Sequence, residues 1–119
     1  MSTYLLAWVV FKMESSMSKT SRGVEFRAFF SDASLTKRSA DMGAKMLEYF
    51  EQEIFQINYT LPKMDMVAVP FFGGGAMENW GMNTYNLEQG GAYSEEDKNT
   101  KTMTWFDTTI SHEMVGCLI

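Results

Sequence analysis

The chain has 119 residues, the length of one domain. Ten Lys and Arg against 15 Asp and Glu leave a net charge of −5, which excludes the basic surface that a nucleic-acid binder needs. Apolar residues at 45% and charged residues at 21% mark a core-forming chain and not a disordered tail. The single cysteine, Cys117, excludes an internal disulfide framework.

Tyr4–Phe11 (YLLAWVVF) is a dense apolar run of eight residues, and a bilayer crossing needs about 20. No basic residue precedes it and no small-residue cleavage site follows, so it reads as a buried strand and not a signal peptide. Met13–Arg22 is rich in Ser, Lys and Met and reads as a connection. Gly23–Phe30 alternates, with Val24, Phe26 and Ala28 on one face and Glu25 and Arg27 on the other, which predicts a half-buried strand. Ser31–Thr36 carries turn and capping residues. From Thr36 to Ile57 the period becomes helical. Met42, Met46, Phe50 and Ile54 recur every four residues beside Leu47, with Lys45, Glu48, Glu51 and Gln52 facing outward.

Leu61-Pro62 ends that helix. Met64–Val69 predicts a strand stopped by Pro70, and the sequon Asn58-Tyr59-Thr60 means little without a secretion signal. Three glycines, Gly73 to Gly75, then lead into a second alternating segment, Trp80–Leu87. Gly90-Gly91 breaks it, and Ser94 with Glu95, Glu96 and Asp97 reads as a helix start. The helix carries Met103, Phe106, Ile110 and Met114 as one apolar stripe. The order strand, strand, helix, strand, strand, helix predicts an α/β (α+β) layer structure built on a mixed sheet with two main helices. No segment is transmembrane in character.

Two places carry chemistry. His112, the only histidine, lies off the apolar stripe of the last helix and is followed by Glu113. A His-Glu pair is half of the zinc motif HExxH, in which histidines four apart clamp the metal and the Glu acts as base. The second ligand position here is Gly116, so the pair taken alone reads as a surface histidine. The other place is Gly75-Ala76-Met77-Glu78-Asn79, which taken alone reads as an inter-strand loop, since no phosphate-loop lysine follows.

Together, GAMENWG and a downstream HE on a helix resemble the M1 family of zinc aminopeptidases, the gluzincins that include aminopeptidase N. MSTYLLAWVVF, GVEFRAFF, KMLEYF and YTLPKMDMVAV follow the family's order, so the resemblance covers nearly the whole chain. It implies that residues 1–22 are the end of an N-terminal β-domain with its connection, and that 23–119 are part of a thermolysin-like catalytic domain. It implies removal of N-terminal amino acids from peptides, with zinc as cofactor and peptide N-termini as partners. By position, Glu78 is implied to hold the substrate's free amine, a charge-assisted bond that would count residues from the chain end. Gly75, Ala76 and Met77 are implied to line the substrate backbone, with Asn79 in support. His112 is implied to be the first zinc ligand and Glu113 the general base.

The departures set the expectation for this chain. Gly116 stands at the second zinc histidine, and the family's third ligand, a later glutamate, would fall after Ile119. One ligand of three does not hold zinc, so a fragment ending inside the motif is expected to be inactive. Cys117, five residues after His112, is rotated off its face and is not expected to substitute. The alternative reading is a non-catalytic module, or truncated isoform, that keeps the site for peptide N-termini.

Overall fold

The computed structural model describes residues 3–87 and 100–118, with 100–103 described by their backbone only. Five strands form one mixed sheet: β1 (Glu14–Lys19), β2 (Glu25–Phe30), β3 (Lys63–Val69), β4 (Ala76–Met77) and β5 (Met82–Asn86). Their spatial order is β1-β2-β3-β5-β4. The two outer pairs, β1–β2 and β4–β5, are antiparallel, while β2–β3 and β3–β5 are parallel. Helices α1 (Thr36–Tyr49) and α2 (Thr100–Leu118) complete the α/β architecture.

The predicted face of β2 is the observed one. Val24, Phe26, Ala28 and Phe30 are buried with Met64, Met66 and Ala68 of β3, Tyr85 of β5, Leu47 of α1, and Phe106, Ile110 and Met114 of α2. Met103 and the expected helix start at Ser94 lie outside the described side chains and residues. Asp32 supplies the predicted capping chemistry, accepting from the Ser34 N–H at 2.9 Å just before α1.

Three expectations are corrected. Tyr4–Phe11 is not a strand: Thr3–Leu5 is one turn of 3-10 helix, and residues 6–13 pair with no strand among the described residues. The segment lies against the sheet face opposite the helices. There Val9, Phe11 and Met13 share a hollow with Phe29, Asp65, Val67 and Met82. The strand preceding β2 is instead β1, inside the stretch read as a connection. It is a polar edge strand, and its serines bond to α1, Ser16 to Thr36 and Ser18 to Asp41.

The third correction concerns the buried face of α1. The residues turned inward are Thr36, Ser39, Ala40, Gly43, Ala44 and Leu47, while Met42 and Met46 are half-buried and Ile54 is exposed. Small residues allow the helix axis close to the sheet: a Cβ on Gly43 would lie 2.2 Å from the Phe26 ring. The helix then widens at Phe50–Ile54 into a π-turn, closed by the Phe55 N–H on the Phe50 carbonyl at 2.9 Å. That widening rotates Glu51 inward, against its predicted outward position. Its carboxylate accepts from Arg22 Nη2 at 2.6 Å and from the Tyr59 N–H at 2.6 Å.

Candidate active site

The GAMENWG segment folds as a tight hairpin. Ala76 and Met77 of β4 stand opposite Tyr85 and Thr84 of β5, and the Gly75 carbonyl accepts from the Asn86 N–H at 2.9 Å. The chain reverses over residues 79–82, where the Met82 N–H donates to the Asn79 carbonyl at 3.1 Å. Gly81 takes φ +82° at the third position of that turn, a conformation that disfavours side-chain-bearing residues. Extending the register past Met77 and Thr84 sets Glu78 beside Asn83, on the face that α2 covers.

Helix α2 presents its C-terminal turns to this hairpin. Cys117 Sγ donates to Asn83 Oδ1 at 3.0 Å and lies 3.5 Å from the Asn79 carbonyl. Gly116 rests on Glu78, with the Glu78 Cγ 2.7 Å from where a Cβ would stand. Glu113 is buried, whereas His112, its neighbour in sequence, is exposed. The hairpin is also tied to the N-terminal segment. The Trp80 N–H donates to the Leu5 carbonyl at 3.0 Å, and Asn79 Nδ2 to the Tyr4 carbonyl at 3.4 Å. Asn79 is buried, and its side-chain bond ties the hairpin to the N-terminal segment.

Two hollows flank the Glu78–Gly116 contact. One, about 490 Å³, is bounded by Glu78, Thr108, Ser111, His112, Val115 and Gly116. The other, about 400 Å³, is bounded by Glu78 and Thr60 with the apolar Leu5, Trp80 and Leu118, and by Gly116 and Cys117. Glu78 thus borders both.

Electrostatically the site centres on two carboxyls. The Glu113 carboxyl is pushed up to about 7, first by burial, then by its hydrogen bond with Glu78 and the like charge of that group, with His112 acting the other way. Among the described residues Glu113 Oε2 has no hydrogen-bond partner, nor do the buried Tyr85 hydroxyl and Asn83 Nδ2. Burial also raises the Cys117 thiol, so it is held as a neutral S–H. Sequence reasoning missed the Cys117–Asn83 contact, because the pairing of α2 with β5 is visible only in three dimensions.

The sequence matches the Peptidase family M1 domain over residues 38–116. The chain belongs to peptidase family M1. It is 36% identical to aminopeptidase A of Gloydius brevicauda and 37% to endoplasmic reticulum aminopeptidase 2 of Bos taurus, over 97% and 96% of its length. It is 39% identical to aminopeptidase M1 of Arabidopsis thaliana over 96% of its length. The chain spans only 12–13% of the length of these relatives. M1 peptidases depend on zinc. Among the described residues no three His, Cys, Asp or Glu side chains come together as a metal requires, and the position one helical turn after His112 is Gly116, where an added Cβ would meet the Glu78 side chain. No helix among the described residues is long and apolar enough to cross a membrane.

Proposed function

We propose that this chain is a fragment of an M1 aminopeptidase that carries the amine-recognition hairpin and the general-base helix, and that alone it neither retains catalytic zinc nor hydrolyses peptides. Residues 1–22 correspond in this reading to the end of the N-terminal β-domain with its connection, and 23–119 to part of the thermolysin-like catalytic domain. The supporting observation is the contact of Glu78 with Gly116. The stem of Glu78 stands where the first carbon of a side chain at 116 would lie, and its carboxyl is hydrogen-bonded to that of Glu113.

The test is direct. Purified chain, with and without zinc, is offered leucine, glutamate and arginine p-nitroanilides. No release of nitroaniline is expected; zinc-dependent turnover that disappears in Glu113→Gln would overturn the reading.

One observation favours a second reading, retention of peptide binding without catalysis. Glu78 is half-buried and borders both hollows, so its carboxylate stays within reach of a ligand ammonium. A free-amine dipeptide amide should then bind in calorimetry and its N-acetyl form should not, with Glu78→Ala abolishing the difference. Equal binding of the two peptides would sink this second reading.

A further inference from the structure

The sequon Asn58-Tyr59-Thr60 has no part in the peptidase chemistry, and it is the only Asn-X-Ser/Thr triplet in the chain. Residues 56–62, which carry it, belong to neither helix nor strand. Gln56, with φ +54°, turns the chain out of the π-turn. Three bonds then fix Tyr59. Its N–H donates to Glu51 at 2.6 Å, its carbonyl accepts from Arg22 Nη2 at 3.2 Å, and its hydroxyl donates to the Lys63 carbonyl at 3.3 Å. Tyr59 is 4% exposed and belongs to the core. Asn58 and Thr60, on either side of it, are both exposed, so the locked middle residue holds its two neighbours at the surface. Among the described residues no group bonds the Asn58 amide.

We propose that Asn58 is an acceptor for an N-linked glycan, and that the buried Tyr59 presents it so that the sugar is carried without displacing a contact of the fold. The donor is an oligosaccharide linked through its anomeric carbon to a lipid diphosphate, the co-substrate of an oligosaccharyltransferase. Asn58 Nδ2 forms the new bond to the anomeric carbon, and the bond from that carbon to the diphosphate oxygen breaks. The amide gives up one proton as the lipid diphosphate leaves, and no oxidant or reductant takes part. The Thr60 hydroxyl is the recognition element two residues on. The setting carries the assignment, and a leader does not enter into it. A sequon with its Asn or its hydroxyl in the core would take a glycan only at the expense of the fold, because a bulky polar sugar has no place in a packed interior. Here the one buried member of the triplet is the one that neither bonds the sugar nor serves in recognition. Thr60 also borders the hollow shared by Glu78, Leu5 and Trp80, so the glycan is rooted two residues along the chain from that hollow.

The test is secretion of the chain from insect cells behind a cleavable signal, beside the same chain made without glycans in bacteria. One glycan per chain is expected, seen as a single mass increment that peptide N-glycosidase removes from the native protein without denaturant. Asn58→Gln and Thr60→Ala should lose the increment, and Thr60→Ser should keep it. The glycosylated and bacterial chains should share one circular dichroism spectrum and one melting temperature. Secreted chain without the increment overturns the proposal, and so does an increment that survives in Asn58→Gln. A glycan that lowers the melting temperature, or that the glycosidase releases only after denaturation, overturns the presentation at the surface. Chains from both sources that show no melting transition overturn it as well, since nothing then holds Tyr59 inward.

Discussion

Glu78 and Gly116 fit together only because one of them lacks a side chain. A Cβ built on Gly116 lies 2.7 Å from the Cγ of Glu78 and 3.1 Å from its Cβ. The contact joins the hairpin to the helix and accounts for several features of the site at once. It brings Glu78 to Glu113, divides the two hollows, and fills the position from which a metal ligand would project.

That contact gives the first prediction. In an isolated helix Gly→Ala stabilises by up to about 1 kcal/mol, but here the methyl meets the stem of Glu78 close to its backbone. Gly116→Ala is expected to destabilise the chain by about 1 kcal/mol net. In a Glu78→Ala background the 2.7 Å contact with Cγ is gone and only the 3.1 Å contact with Cβ remains, so the same substitution should cost clearly less. Urea denaturation of the four proteins of this cycle checks it. A coupling near zero would show that the two side chains do not meet in solution.

The Glu113 carboxyl gives a pH prediction with a definite sign. Its folded pKa is about 7 against 4.5 for the free side chain, so the fold favours the protonated form. Stability from this group is fully present below about pH 4.5 and is lost as pH rises through about 7. Glutamine keeps the shape and never ionises. Glu113→Gln should therefore match the parent chain at pH 4.5 and exceed it by about 1–2 kcal/mol at pH 8, after allowance for partial solvation of the pair. The carboxylates of Asp32, Asp41 and Glu48 are held low by their hydrogen-bond donors and are common to both proteins, so they cancel in the difference. A difference that stays flat between pH 4.5 and 8 would refute the assignment.

A third prediction concerns Glu51, which joins three parts of the chain. Its carboxylate takes the Arg22 guanidinium and the backbone N–H of Tyr59, and Arg22 Nη2 also reaches the Tyr59 carbonyl at 3.2 Å. The Glu51 side chain is almost fully buried while Arg22 is partly exposed. Removing Arg22 therefore strands a buried charge, whereas removing Glu51 strands a backbone donor. Arg22→Ala and Glu51→Ala are each expected to lose about 2–3 kcal/mol. Glu51→Gln, which keeps an acceptor for Tyr59, should lose about half as much. Thermal melts of the three variants rank them, and a Glu51→Gln loss equal to that of Glu51→Ala would remove the backbone bond from the account.

These residues also show where sequence reading succeeds and where it stops. The β2 and β3 faces and the apolar stripe of α2 are legible, because each places large apolar side chains at the period of its element. Strand β1 is not, since a polar edge strand owes its place to hydrogen bonds with β2 and α1 and carries no apolar alternation. The run from Tyr4 to Phe11 has strand composition, yet it gains its half-burial by lying on a sheet face and not by joining the ladder. Glu51 reads as a solvated carboxylate because the π-turn that rotates it inward is invisible to a fixed 3.6-residue period. At the site, the GAMEN hairpin and the His-Glu pair are legible as motifs. The occupation of the Gly116 position by Glu78 is not, for it depends on how close α2 lies to β4.

The inward face of α1 is the sharpest of these cases and gives the last prediction. Counting apolar residues selects Met42, Met46, Phe50 and Ile54, yet the helix buries Ser39, Ala40, Gly43 and Ala44. Hydrophobicity scores reward size, whereas a helix drawn close to a sheet needs small residues at the point of nearest approach. Gly43 is that point. An added Cβ would stand 2.2, 2.3 and 2.6 Å from three atoms of the Phe26 ring, and Phe26 is itself enclosed by the core. Unlike the Glu78 side chain, a buried ring has no free direction in which to yield. Gly43→Ala should therefore lose at least about 2 kcal/mol, although alanine is the better helix former by up to about 1 kcal/mol. Shrinking the ring should relieve it: Phe26→Leu alone destabilises by a cavity term, but the double variant should lose clearly less than the sum of the two single losses. Strictly additive losses in urea denaturation would mean that α1 and β2 are further apart than this packing requires.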